Sequence, residues 1–151
     1  MWKDNGFTLV EMMVVIAIMA IVSAIAIPNF YSYAAGMKLR SASRDLYSTF
    51  QKTRMNAIRQ NIRWAVAFTS TAYVVVDCGP NNVCGGSGST DDINHAATSI
   101  SSYSGVNMTS FPGIVEFYPD GTSNGGIIIF GNSTPNTSRV EVSVSGRVKS
   151  S

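Results

Sequence analysis

The sequence predicts an α+β protein, with a long N-terminal α-helix, transmembrane and then amphipathic, packed on a C-terminal antiparallel β-sheet domain. Three observations predict it. Residues 7 to 27 contain a single ionisable side chain, Glu11. After Pro28 the apolar residues recur at alternating steps of three and four, the period of one helix face. From Trp64 onward the texture changes to short β-rich runs separated by turn-forming Gly, Asn, Asp and Pro.

The apolar segment comes first. At ~1.5 Å per residue the run from Phe7 to Pro28 makes a helix of roughly 30 Å, enough to cross a hydrocarbon core. A secretory signal also carries an apolar run, and Ala24-Ile25-Ala26 could serve as a small-residue cleavage site leaving a mature start at Ile27. Two features oppose that reading: Asp4 cancels the basic start at Lys3, and a carboxylate, Glu11, sits inside the apolar run. An acid near the centre of a membrane helix costs on the order of 2.5 to 3.5 kcal/mol, so it needs a partner or a position near the headgroups. If the chain were cut after Gly6, Glu11 would lie in the first helical turn, where free N–H groups and the positive dipole end favour an anion. The cut would also create a positive α-amine at Phe7.

The next segment, residues 29 to 63, continues the helix to about Ile62. Leu39, Ala42, Leu46, Phe50, Thr53 and Ala57 form its apolar stripe. Pro28 is expected to kink the helix or interrupt its hydrogen bonds, and Gly36 is a second weak point. The chain is 13% charged with a net charge of +2, which says little about partners, but the charges are unevenly placed. Lys38, Arg40, Arg44, Lys52, Arg54, Arg59 and Arg63 are opposed in this stretch only by Asp45. Such a run fits a solvated helix face, headgroup contact near Lys38 and Arg40, or salt bridges to neighbouring chains.

Residues 64 to 151 read as the β domain. Trp64 to Phe68 and Tyr73 to Val76 are strands joined by a hairpin at Thr69-Ser70-Thr71-Ala72. Further strands are expected at Ile114 to Tyr118, Ile127 to Phe130 and Arg139 to Val144, with an additional one around Ile100 to Met108. Alternation in the last long strand places Val140, Val142 and Val144 on one face of a half-buried sheet. Gly85 to Asp92 reads as an exposed loop.

The N-terminal residues Gly6-Phe7-Thr8-Leu9-Val10-Glu11, followed by the apolar run and Pro28, resemble the prepilin signature of type IV pilins and type II secretion pseudopilins. Arg54-Met55-Asn56-Ala57-Ile58-Arg59, Val115-Glu116-Phe117 with Asp120-Gly121-Thr122, and Arg139-Val140 running to Ser145-Gly146-Arg147-Val148 resemble the GspH/FimT/FimU branch of minor subunits. The resemblance implies that residues 1 to 6 are a leader, that a prepilin peptidase cuts after Gly6 and methylates Phe7, and that Glu11 pairs with a neighbouring subunit's terminal amine. It also implies that the chain waits in the bacterial inner membrane as a single-pass protein with a periplasmic C-terminal domain. Its expected partners are other pilins or pseudopilins, the peptidase, the inner-membrane assembly machinery and, before assembly, membrane lipid.

Cys78 and Cys84 bracket Gly79-Pro80-Asn81-Asn82-Val83, a turn-forming insert. In an exported domain a disulfide is the default for such a pair, with free thiols the alternative. Their spacing is not that of paired zinc ligands, and the only histidine is His95, in a polar loop where a solvated imidazole is the simpler expectation. A Ser/His/Asp constellation would depend wholly on His95, and Gly85-Gly86-Ser87-Gly88 does not link a strand to a helix as a phosphate loop must. The sequence therefore reads as non-catalytic, with no cofactor. Gly146-Arg147-Val148-Lys149 resembles the Gly-Arg-x-Arg motif with which FimT-type minor pilins bind DNA, with Lys149 in place of the second Arg. Lysine keeps the charge for a phosphate but loses the planar fork. The competing reading makes Arg147 and Lys149 polar residues on a final edge strand.

Overall fold

The computed structural model describes residues 7–85, 92–132 and 136–151. A helix, α1, spans Leu9–Gln60. The strands follow as β1 (Trp64–Phe68), β2 (Ala72–Asp77), β3 (Ile93–Asn94), β4 (Thr98–Ser99), β5 (Val106–Ser110), β6 (Ile114–Phe117), β7 (Gly126–Asn132), β8 (Thr137–Val142) and β9 (Val148–Ser150). A 3₁₀ turn, Ile100–Ser102, lies between β4 and β5.

The chain divides into two compact units, the first ending at Ala34 and the second running from Ala35 to Ser151. In the first, α1 continues through Pro28, and every described residue up to Tyr33 is exposed. Its length and apolar composition suffice to cross a membrane. In the second unit the same helix buries Leu39, Ala42, Leu46, Phe50, Thr53 and Ala57, the stripe that the spacing predicts, together with Ser43. The two buried hydroxyls are satisfied within the helix, Ser43 Oγ donating to the Leu39 carbonyl at 3.0 Å and Thr53 Oγ1 to the Thr49 carbonyl at 2.8 Å. The helix ends at Gln60, two residues short of the expected end, because Asn61 takes a left-handed conformation (φ 55°). Asparagine is one of the few residues that terminates a helix in this way at little cost.

The sequence leads one to expect a single half-buried sheet, whereas the described strands form two. The first has the order β3-β2-β1-β6, with β4 also pairing β2; the second has the order β5-β7-β8-β9, and all pairs are antiparallel. Splitting the strands lets α1 cover the inner faces of both. Phe50 packs on the first sheet, its ring 6.1 Å from Phe68 and 5.8 Å from Phe117. Ile128, Phe130 and Val140 of the second sheet are fully buried in the same cluster. Each such side chain contributes about 1.5–3 kcal/mol on leaving water.

Two strand expectations need correction. Val144 does not continue the face of Val140 and Val142 but is 70% exposed. Strand β8 stops at Val142, where a hairpin closes through the Ser143 N–H to the Arg147 carbonyl (2.9 Å) and the Gly146 N–H to the Ser143 carbonyl (2.8 Å). The expected strand around Ile100 to Met108 is half right, since Ile100–Ser102 is a 3₁₀ turn capped by Ser99, whose hydroxyl accepts the Ser101 N–H. Only Val106 onward is extended, after a turn at Gly105 (φ 82°). The hairpin at Thr69 to Ala72 forms as expected, the Thr69 N–H donating to the Ala72 carbonyl at 2.8 Å. Of the expected loop from Gly85 to Asp92, residues 86–91 lie outside the described residues; its two ends meet, the Gly85 N–H donating to Asp92 Oδ2 at 3.0 Å.

Candidate functional site

The start of α1 is built by two side chains. Thr8 precedes the first helical residue and Glu11 lies in the first turn. The Thr8 N–H and hydroxyl both donate to Glu11 Oε2, at 2.9 and 3.0 Å, and the Glu11 N–H donates to Thr8 Oγ1 at 3.2 Å. This is a capping box, in which two free backbone donors are satisfied reciprocally. Glu11 is therefore matched within its own chain, in addition to any partner beyond it. The Thr8-x-x-Glu11 spacing is itself a capping-box signal in the sequence. Phe7 is exposed beside the box, and Gly6 lies outside the described residues.

The second expected feature is formed: Cys78 and Cys84 are joined by a disulfide with Cα atoms 4.7 Å apart. Both cysteines are buried against Ala65 and Val76. The bridged loop turns through Gly79 (φ 61°) and Asn82 (φ 56°), and Asn82 Oδ1 accepts the Arg63 N–H just before β1. The disulfide thus ties the loop to the point where the chain leaves α1 and enters the first sheet.

The third is the tail motif, whose residues separate into different roles. Gly146 is buried at φ 74°, and a Cβ there would lie 1.9 Å from the Gly121 carbonyl oxygen and 2.9 Å from Arg54 Nε. Arg54 Nε itself donates to that carbonyl at 2.9 Å. One helix arginine therefore holds the β6–β7 turn, and the β8–β9 turn approaches both so closely that glycine is the residue that fits there. Arg147 and Lys149 are exposed. Lys149 stands opposite Glu141 in the β8–β9 register, and Glu141 is ion-paired to Arg139 at 3.0 Å. A cross-strand acid offsets part of the positive potential a phosphate would meet there.

Further contacts fix the surroundings. Arg63 lies over the Tyr118 ring, 4.9 Å from its centre, and pairs with Glu116 at 3.3 Å. The Tyr103 hydroxyl donates to Asp45 on α1, and that hydrogen bond, followed by burial and the carboxylate's charge, pushes the Tyr103 pKa up to about 12. Asp120 accepts the hydroxyl and the N–H of Thr122, which hold its carboxyl below its ordinary value. His95 is exposed, as its polar surroundings suggest, but its ring stacks on Trp64 at 5.3 Å.

Comparison with known proteins places this arrangement. The family model of the prokaryotic N-terminal methylation motif matches residues 3–27, and that of the type II transport protein GspH matches residues 42–146. The chain is 44% identical over 48 residues to the type IV major pilin protein PilA of Myxococcus xanthus, covering 32% of this chain and 22% of that protein. It is 48% identical over 48 residues to the prepilin peptidase-dependent protein D of Escherichia coli, covering 32% of this chain and 30% of that protein. The chain thus spans about a third or less of the length of these curated relatives. Among solved structures, the type IV minor pilin FimU of Pseudomonas aeruginosa shares the fold with a TM-score of 0.60 at 14% identity, over 78% of this chain and 90% of that one. The minor pseudopilin EpsH of the Vibrio cholerae type 2 secretion system does so with a TM-score of 0.54 at 10% identity, over 75% and 95%. With an N-terminal methylation motif and a domain match over most of its length, the chain belongs to the GspH family of type II transport proteins.

Proposed function

We propose that this chain is a minor pilin or pseudopilin whose N-terminal helix carries it from the bacterial inner membrane into a type IV pilus or a type II secretion pseudopilus. In this reading residues 1–6 are a leader removed by prepilin peptidase, Phe7 becomes the methylated N-terminus, residues 7–28 form the filament core, and residues 29–151 stand on the periplasmic side. The observation that carries it is the first unit's helix, apolar on every side and exposed, with Glu11 as its one acidic or basic residue after Phe7. A helix apolar all round is stable only in lipid or among other helices.

Moving such a helix from lipid to a bundle changes its hydrophobic energy little, because lipid tails are as apolar as leucine. Register then depends on the polar groups. Glu11 waits in the Thr8 capping box while the subunit stands alone, and on assembly it turns to a neighbour's Phe7 amine, exchanging neutral donors for a charged one. The role is structural, with no catalysis. Intact mass and N-terminal analysis of the mature chain test the processing: a start at methylated Phe7 is expected, and a start at Ile27 overturns it. Glu11→Val is expected to insert in the membrane but to be absent from sheared filaments; normal incorporation sinks the pairing role.

The exposure of Arg147 and Lys149 favours a second reading, a DNA-receptor subunit. Full-length protein in detergent would then bind duplex DNA with steep salt dependence, and Arg147→Ala would abolish binding. The packing role of Gly146 and the position of Glu141 support the structural reading of this tail, under which no salt-dependent binding is measured.

A further inference from the structure

Beside the core of the second unit, a cavity of about 220 Å³ opens between α1 and the first sheet. Its floor is Trp64, Val75 and Thr53; Lys52, Asn56 and His95 stand at its rim, with Thr49 completing the helical face. Thr49, Lys52, Thr53 and Asn56 fall at steps of three and four, so one face of α1 presents them all.

The floor's polar atoms are already engaged. Trp64 Nε1 donates to Gln60 Oε1 at 3.2 Å, Thr53 Oγ1 donates to the Thr49 carbonyl, and the Thr49 hydroxyl donates to the Asp45 carbonyl at 2.9 Å. His95 is held over the indole by its ring stack and by its N–H, which donates to the Val75 carbonyl at 2.9 Å. At the rim the case is reversed. The Lys52 ammonium, the Asn56 amide and the His95 ring nitrogens make no hydrogen bond or ion pair among the described residues. The lining contains no carboxylate, and the acid one turn earlier, Asp45, holds the Tyr103 hydroxyl.

An apolar floor beneath a cationic, donor-rich rim recognises an anion on a short apolar stem. The volume narrows the choice, because small-molecule pockets are ordinarily about 300–1,000 Å³. This one is sized for a single side chain. We propose that the cavity is a socket for an aspartate or glutamate side chain of another filament subunit, the stem lying on Trp64 and Val75 and the carboxylate reaching Lys52 and Asn56. The proposal rests on the filament reading for its partner, and charge complementarity selects that partner's residue. An exposed Lys pair alone would be weak and screened by salt. Seating the stem on the indole is what makes the contact specific.

The test uses the full chain in detergent with Trp2→Phe, which leaves Trp64 as the one indole. N-acetyl-glutamate N-methylamide is titrated at constant ionic strength while the Trp64 indole N–H resonance and fluorescence are followed. The expected result is a saturable shift, weakened about fivefold or more in Lys52→Gln and absent with the neutral glutamine analogue. No saturable shift, an equal response to the glutamine analogue, or an unchanged response in Lys52→Gln overturns the socket; so does saturation by N-acetylglucosamine in place of the acid. Lys52 is exposed, and Lys52→Gln keeps the fold intact for the comparison. Because the titration needs no filament, a chain that never enters one overturns the filament reading and leaves the socket to be decided by the titration.

Discussion

One helix serves two environments, and its two parts differ in pattern more than in composition. Up to Tyr33 the side chains of α1 are exposed without a preferred face, whereas from Leu39 to Ala57 a narrow stripe is buried and the rest, Met55 apart, is charged or polar. Within the first unit the apolar side chains of α1 stand exposed. They add little to the β domain's folding free energy, and their burial awaits lipid or other helices. In the second part the apolar stripe is buried in one cluster with side chains of both sheets.

This contrast can be broken most directly at Phe50 and Ile16. Phe50→Ala removes a ring packed between Phe68 and Phe117 and is expected to destabilise the domain by about 3–5 kcal/mol in chemical denaturation. Ile16→Ala, at a side chain 62% exposed, should shift the same transition by less than about 0.5 kcal/mol. A comparable loss from both would mean that the apolar part packs on its own domain.

A smaller effect sharpens the second half. Gly146→Ala forces a Cβ onto the Gly121 carbonyl at a left-handed backbone position and should cost about 2 kcal/mol or more. Arg54→Ala, which removes the hydrogen bond but not the space, should cost about 1–2 kcal/mol. If Gly146→Ala left stability untouched while abolishing DNA binding, the motif's glycine would belong to recognition and not to packing.

The smallest effect concerns pH. The Tyr103 hydroxyl holds its proton more tightly in the folded state, so its contribution is complete below pH 10 and is lost as pH rises through about 12. Wild-type stability should therefore fall more steeply than that of Tyr103→Phe between those values, as followed by denaturant midpoints. Parallel curves would show that the contact between α1 and the 3₁₀ segment contributes nothing in solution.

Much of the fold was legible because periodicity is a local property. The stripe from Leu39 to Ala57 and the hairpin of β1 and β2 follow from spacing and turn residues alone. The differences lie in a turn that the alternation masks and in the pairing of distant strands. Val144 keeps the alternation of a strand but sits in a turn closed by Ser143 and Arg147. The separation into two sheets depends on which strands α1 covers, and no local pattern encodes that. The same division holds for the candidate sites. Thr8 and Glu11 lie three apart, so their capping box was readable in principle. Lys52, Trp64 and His95 come together only through the packing of α1 on β1 and β2, and nothing in their spacing announces a common cavity.

By itself, then, the sequence determined an apolar helix with one acid near its start, an amphipathic continuation and a β domain with a cysteine-bracketed loop. These are consequences of hydrophobicity, charge and short-range sterics, which act along the chain. The tertiary structure alone decided that Gly146 is locked between Gly121 and Arg54, that Lys149 faces Glu141, and that Trp64 and Lys52 line one cavity. Those relations join residues far apart in sequence. They exist only once the burial of the Leu39 to Ala57 stripe has drawn both sheets onto one helix.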